Sequence, residues 1–422
     1  MKVFKFGGAS VKDAEAVRNV AAIVARYTDP LVIVVSAMGK TTNALEEIFR
    51  LRYAGQPCEI PLQACQDYHT GILSNLFPDK SDKVYTAVNE QFGQLRTYLQ
   101  NMRFGDYDEH YDQVVSAGEL ISSIIVQHYL ATQQFKTVWL DCRPLICTDD
   151  SWREAKVDWP NTERNIQEKV KPLMAEHLIV TQGFLGGTSH NRTTTLGREG
   201  SDFTGAIFAY CLQAESLTIW KDVAGFLNAD PKYFRHTVKY TQISYQDTVE
   251  MAYYGATVIH PKTIKPLATR RIPLLVKSFL DPAAAGTLIQ DSQNEKLVPA
   301  FIRKDQQCLL SFGVRDYTFI SETNLSVIFH ALAELRFKIN LMQNSAISFS
   351  VCTNYDAERL LLLREQLQEQ FVIHYNTDLL LFTIKNYEEE SIQFLTQNRE
   401  ILLEQRTRTT YQFVCRAGES VV

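Results

Sequence analysis

Two hydrophobic periods alternate along the first two-thirds of the chain. Short apolar runs at residues 3–6, 31–35, 137–140, 178–182, 217–220 and 273–276 have the length of buried strands. Between them, apolar residues recur at helical spacing. Val17, Val20, Ala21 and Val24 share one face, and Ser10-x-x-Asp13 marks the start of that helix. Strands alternating with helices predict an α/β fold with a mostly parallel sheet covered by helices. Residues 50–101 are more polar and read as an inserted helical segment.

The pattern changes near Asp281-Pro282, and residues 291–296 read as a linker. Strand 309–314, helix 321–335, strands 338–343 and 347–353, helix 356–370 and strand 371–375 then give the ferredoxin-like order βαββαβ. A second, less complete copy has strand 378–385, helix 388–404 and strand 410–416, with 298–303 as a spare strand. The expected domains are therefore 1–290 and 297–422. The first copy covers about 308–376 and the second about 297–304 plus 377–422. Neither copy carries a catalytic cluster, so ligand sensing or dimerisation is the expected role.

Composition narrows the class. A chain of 422 residues, 45% hydrophobic and 22% charged with net charge −5, predicts a globular protein of two or three domains. No Lys/Arg block stands out, which argues against nucleic-acid or membrane-surface binding. The apolar runs are strand-sized rather than membrane-spanning, and a strand from residue 2 leaves no room for a signal peptide. Eight cysteines without a C-x-x-C pair point to free thiols and a cytoplasmic address.

Candidate chemistry sits where strands end. Strand 3–6 runs into Gly7-Gly8-Ala9-Ser10, so backbone amides and the Lys5 ammonium can meet a phosphate. Gly39-Lys40-Thr41 imitates the tail of a Walker loop, but Val34 stands where that loop needs glycine. What remains there, from Ser36 to Thr42, is a loop rich in hydroxyls and amides. Glu119 is a lone carboxylate in an apolar helical stretch; it either faces solvent or partners a cationic amine. In the third glycine-rich segment, Gly197-Arg198-Glu199-Gly200-Ser201-Asp202, Arg198 offers a planar fork for a carboxylate and Asp202 opens a helix. Lys221, Asp222 and Lys232 follow the fifth strand, within reach of a nucleotide's phosphates.

Taken together, the ordered segments resemble the aspartate kinases (aspartokinases) of the amino acid kinase family. They are Lys5–Val11, Ser36–Asn43, Ser116–Leu120, Gln182-Gly183-Phe184, Thr193–Asp202, Ile219–Gly225 and Gly255–Pro261. The resemblance implies an amino-acid-kinase-type sandwich followed by paired ACT domains that bind an amino-acid effector and form a homodimer. It implies transfer of phosphate from ATP, as its Mg2+ complex, to the side-chain carboxylate of L-aspartate, the first step of lysine, threonine and methionine biosynthesis. No homoserine dehydrogenase is expected within 422 residues.

The same resemblance assigns roles. Lys5 and Asp202 would be catalytic, with Gly7 and Gly8 lending amides to the phosphates. Arg198 would clamp the α-carboxylate and Glu119 the α-ammonium, with Ser36, Thr42 and Ser201 as hydroxyl partners. Lys221, Asp222 and Lys232 would lie on ATP.

Two departures stand out. Thr257 replaces a lysine usual near the ATP phosphates, a loss that Lys221 or Lys262 would offset. Residues 339–346 lack the acids that accompany lysine sensitivity, so lysine alone is expected to inhibit weakly or not at all. Two rivals stay open: an acetylglutamate-type kinase of the same fold, and a catalytically weakened effector-binding protein.

Overall fold

Strand β1 (Lys2–Phe6) and β2 (Leu31–Val35) are almost wholly buried, as runs of Phe, Val and Ile must be when both sheet faces are covered. They pair in parallel, with Lys5 opposite Val34 and Phe6 opposite Val35. The computed structural model describes residues 1–103, 105–256, 258–292, 297–315 and 318–416. These form two compact units, the first from residues 1–226, 239–249 and 258–292, the second from the remainder.

In the first unit, helix α1 (Ala14–Val24) follows β1, capped by Asp13, whose carboxylate accepts from Ala16 N. After β2 come α2 (Thr41–Tyr53), α3 (Glu59–Leu76), α4 (Lys83–Asn101), α5 (Tyr107–Val115) and α6 (Ala117–Thr132). The helical segment expected from its polarity packs into the same apolar core as α1 and α6. The stretch Tyr107–Thr132 is long and apolar enough to cross a membrane, yet 78% of its apolar window is buried inside the fold. It is a core helix.

The chain continues through β3 (Thr137–Leu140), α7 (Trp159–Lys169), β4 (Leu178–Gln182), the hairpin β5 (Leu185–Gly187) and β6 (Thr193–Thr195), α8 (Gly200–Leu212) and β7 (Ser216–Lys221). It ends with β8 (Gln242–Ser244), α9 (Tyr245–Tyr254), α10 (Pro261–Arg270), β9 (Leu274–Ser278) and β10 (Thr287–Gln290). The sheet order is β3-β4-β2-β1-β7-β9-β10-β8, parallel except where β10 opposes β9. The short strands β5, β6, β8 and β10 were not expected from the sequence: the first three have only three residues each, and β10 falls where the pattern changes after Asp281-Pro282.

This order fixes the position of the site. From β1 the chain goes to β2 on one side, while β7 pairs on the other, so the sheet's direction of progression reverses at β1. Crevices for ligands open at such a reversal, beyond the carboxyl ends of the strands. Lys5, the Gly7-Gly8 turn, the Ser36 loop and Lys221 all lie there.

The second unit holds a six-stranded antiparallel sheet, order β12-β13-β11-β14-β16-β15. Its elements are β11 (Ala300–Val314), α11 (Glu322–Glu334), β12 (Ile339–Asn344), β13 (Ser348–Asn354), α12 (Ala357–Leu367), β14 (Phe371–Lys385), α13 (Glu389–Thr396), β15 (Ile401–Arg406) and β16 (Thr410–Arg416). Here the expectation of separate strands at 298–303 and 309–314, and at 371–375 and 378–385, is corrected: each pair is one 15-residue strand. The first of these carries a bulge, with register shifts on either side of Gln307 and a left-handed Gln306. The helix expected over 388–404 stops at Thr396. Asn398 then takes a left-handed conformation and residues 401–406 form a strand.

Candidate active site

A cavity of about 480 Å³ opens at the carboxyl edge of β1, β2 and β7. Its walls carry most of the residues singled out from the sequence: Lys5, Gly8, Ser36, Thr42, Glu119, Arg198, Ser201, Asp202 and Lys221. Gly7 adjoins it; a Cβ there would lie 3.4 Å from Lys5 Nζ. Asp222 is exposed and outside the lining, and Lys232 belongs to the second unit, where its ammonium lies over the Tyr233 ring. Thr257 lies outside the described residues.

The centre of the site is an ion-paired triad. Lys5 Nζ lies 2.6 Å from Asp202 Oδ1, and Lys221 Nζ lies 3.2 Å from Asp202 Oδ2. Asp202 is only 3% exposed. Burial by itself pushes its carboxyl up, but the two ammonium groups outweigh that and hold it below the ordinary carboxylate range. Asp202 stands in the first turn of α8, where the helix dipole also favours an anion. Lys221 further donates to the Val258 carbonyl. Lys262, the other lysine considered as a substitute cation, donates instead to the Leu196 carbonyl at 2.8 Å and is not part of this cavity's wall.

The glycine turns leave room for a ligand by bringing backbones close together. A Cβ on Gly8 would meet the carbonyls of Ala37 and Gly39 at 2.9 and 3.0 Å, so the turns after β1 and β2 touch through bare backbone. Gly39 N donates to Gly8 O at 3.1 Å across this contact.

Glu119 is not on a solvent face. It sits in the first turn of α6, 3% exposed, with Oε1 accepting from Ala37 N at 3.1 Å. Its Oε2 is buried with no hydrogen-bond partner among the described residues. Burial pushes its carboxyl up to about 8, against the weaker pull of the Ala37 amide and Lys5. A carboxylate held this way is prepared for a cation that brings its own charge. Across the cavity, Arg198 is exposed and has no ion-pair partner among the described residues.

Several wall residues gave no signal in the sequence. Arg153 lies in a polar loop, its guanidinium 4.3 Å from the Tyr111 ring and its Nη1 3.2 Å from Asp108. Tyr111 donates to Glu46, and both line the cavity. Behind them, the buried Asp112 carboxylate accepts from Arg153 N, Thr195 N and Thr195 Oγ1 at 2.7–3.0 Å. Asp112 thus ties α5 to β6 and to the Arg153 loop. Nothing in its helix-period surroundings separates it from a surface acid.

A glycine turn, a buried Lys–Asp–Lys triad and a carboxylate oxygen without a partner among the described residues thus meet where the strand order reverses. The model of the amino acid kinase family matches residues 1–278. The lysine-sensitive aspartokinase 3 of Escherichia coli (strain K12) is 30% identical over 351 residues, 83% of this chain and 77% of that protein. A bifunctional aspartokinase/homoserine dehydrogenase of Buchnera aphidicola is 26% identical over 93% of this chain, which spans 51% of its length. The crystal structure of E. coli aspartokinase III in complex with aspartate and ADP superposes with a TM-score of 0.82 at 25% identity, covering 99% of this chain and 96% of that one. The chain belongs to the aspartokinases, within the amino acid kinase family.

Replacing Asp202 with Asn leaves two ammonium groups facing one neutral amide in a buried site. Loss of one partner of a buried pair costs about 3–5 kcal/mol. Asp202→Asn is therefore expected to lower the stability of the first unit by that order in urea denaturation at pH 7. An unchanged midpoint would mean the triad is not energetically coupled.

Proposed function

We propose that the protein transfers the γ-phosphoryl group of ATP, arriving as its magnesium complex, to the side-chain carboxylate of L-aspartate. The observation that carries this reading is one cavity holding three things: the Lys5–Asp202–Lys221 triad, and a buried Glu119 oxygen and an Arg198 that both lack a partner among the described residues. The first suits a transferring phosphoryl group. The other two suit the α-ammonium and α-carboxylate of a free amino acid. An N-acylated substrate has no ammonium for Glu119, which sets the acetylglutamate-type rival aside.

In this mechanism the nucleophile needs no general base, because the β-carboxylate of aspartate is ionised at neutral pH. The protein's work is to align it with the γ-phosphorus and offset the charge that gathers there. Lys5 neutralises the phosphoryl oxygens, held in place by Asp202, while Gly7 and Gly8 leave backbone amides free for the phosphates. Lys221 supplies the second cation that Thr257 does not, a role its ion pair with Asp202 favours over Lys262. Ser36, Thr42 and Ser201 orient the amino acid through their hydroxyls. Asp222 remains our assignment for the nucleotide; Lys232, which belongs to the second unit, is not carried into this mechanism.

We assign residues 1–290 to catalysis and 297–422 to two ACT-type copies that take an amino-acid effector and pair two chains. Self-association finds support in the exposed apolar side chains of the second unit, among them Met342, Ile347 and Leu361. The whole chain's eight free cysteines, mostly buried, suit the reducing cytoplasm.

The test is Lys5→Ala. Loss of one charge-stabilising group is expected to reduce kcat by about 10²–10³-fold, with aspartate KM little changed. Near-normal kcat would overturn the assignment.

Glu119 yields a pH dependence. Only its ionised form pairs with the α-ammonium, and its carboxyl titrates at about 8 in the free protein. Aspartate binding should release a proton, and affinity should rise about tenfold per pH unit from 6 and level off above 8. Glu119→Gln should flatten this profile in calorimetric titrations. A flat profile in the unaltered protein would contradict the role.

At the proposed effector site, Asn340 is committed to Gln307 and Asn354, and its Oδ1 accepts from Lys304 Nζ at 2.9 Å. Burial and the neighbouring Lys338 depress the Lys304 ammonium to about 8. A lysine effector would meet cations there rather than acids. Sub-millimolar lysine is expected to leave the rate unchanged, and strong inhibition in an ADP-release assay would refute this.

A further inference from the structure

A second cavity of about 490 Å³ lies in the first unit, walled by α7, α8, α10 and the segment before α7. Trp159, Phe203 and Tyr210 form an aromatic corner, with Trp159 centred 6.2 Å from Phe203 and 4.9 Å from Tyr210, both edge-on. Lys156, Lys262 and Lys265 line it against a single acid, Glu154. None of the three lysines has an ion-pair partner among the described residues. Lys262 is the inner cation, its Nζ 5.9 Å from the Phe203 ring and 2.8 Å from the Leu196 carbonyl. Volume, apolar lining and a few convergent charges are the features of a small-molecule site.

The two cavities share a wall two residues thick. Arg153 and Gly197 line the first, while their chain neighbours Glu154 and Leu196 line the second. No slack separates these segments: a Cβ on Gly197, whose φ is +72°, would lie 3.1 Å from Glu154 Cγ and 3.2 Å from Arg153 O. Arg198 follows directly. Whatever draws the Lys262 ammonium off the Leu196 carbonyl therefore acts on the segment that carries Arg198.

We propose that this second cavity binds a small aromatic carboxylate, and that its occupancy alters aspartate binding through Leu196. The ring stacks in the Trp159–Phe203–Tyr210 corner and the carboxylate takes Lys262 and Lys265 in a charge-assisted contact. The coupling rests on the kinase reading given above; the binding does not.

The probe is indole-3-acetate, with uncharged indole-3-acetamide as its counterpart, titrated calorimetrically into the full chain. The acid is expected to bind at least about tenfold more tightly than the amide. Lys262→Met should abolish that preference, and Thr269→Trp, at the exposed rim, should block both ligands while circular dichroism stays native. Equal binding of acid and amide, or acid binding that survives both substitutions, would overturn the site. Saturating indole-3-acetate should also shift aspartate KM by about threefold or more with kcat nearly constant. An unchanged KM at calorimetrically proven saturation would overturn the coupling.

Discussion

One buried carboxylate shared by two ammonium groups is the constraint around which the first unit is arranged. Asp202 is held ionised only because Lys5 and Lys221 come to it from two neighbouring strands, β1 and β7. That requires β7 to pair directly with β1, and α8 to begin over the carboxyl ends of both. The reversal of strand order at β1 supplies the pairing. The Thr193–Gly200 segment, fastened by Asp112 to α5, brings α8 to its starting point. Two ammonium groups on one carboxylate leave the triad with a net positive charge, set in place before any ligand arrives.

Glu119 is the opposite case. It is buried beside the same cavity with one oxygen unmatched, and its free-state cost is a carboxyl pushed up to about 8. The Asp202 carboxylate has its countercharges within the fold, whereas Glu119 has none beside its unmatched oxygen. On the proposed reading, specificity for a free amino acid would follow from that difference, because a substrate lacking the ammonium leaves the buried oxygen orphaned. The second unit shows the same logic in Asn340, whose side chain is saturated by Lys304, Gln307 and Asn354.

Much of this was legible in the sequence, because the informative residues sit beside signals with a period. The six long strands of the first unit announced themselves as apolar runs, and the loops carrying Lys5, Ser36, Arg198 and Lys221 follow them directly. What escaped had no period to betray it. Strands β5, β6 and β8 have only three residues each, and β10 falls where the pattern changes after Asp281-Pro282. Arg153 and Asp112 act through the space between loops that only the fold defines. In the second unit, residues 298–303 and 309–314 were expected as strands of different copies, while the backbone carries both within one long strand with a bulge near Gln307. Exposure was equally out of reach. The sequence left Glu119 between a solvent face and a buried pair, and only packing of α6 against the Ala37 loop decides it.

The claim on which everything else rests is that phosphate passes to the side-chain carboxylate of a free amino acid. The direct measurement is hydroxylamine trapping of the acyl phosphate during turnover with ATP. A hydroxamate is expected to form with L-aspartate, in proportion to ADP released, and not with N-acetyl-L-glutamate. Hydroxamate from the acetylated substrate, or none from aspartate while ADP accumulates, would contradict it.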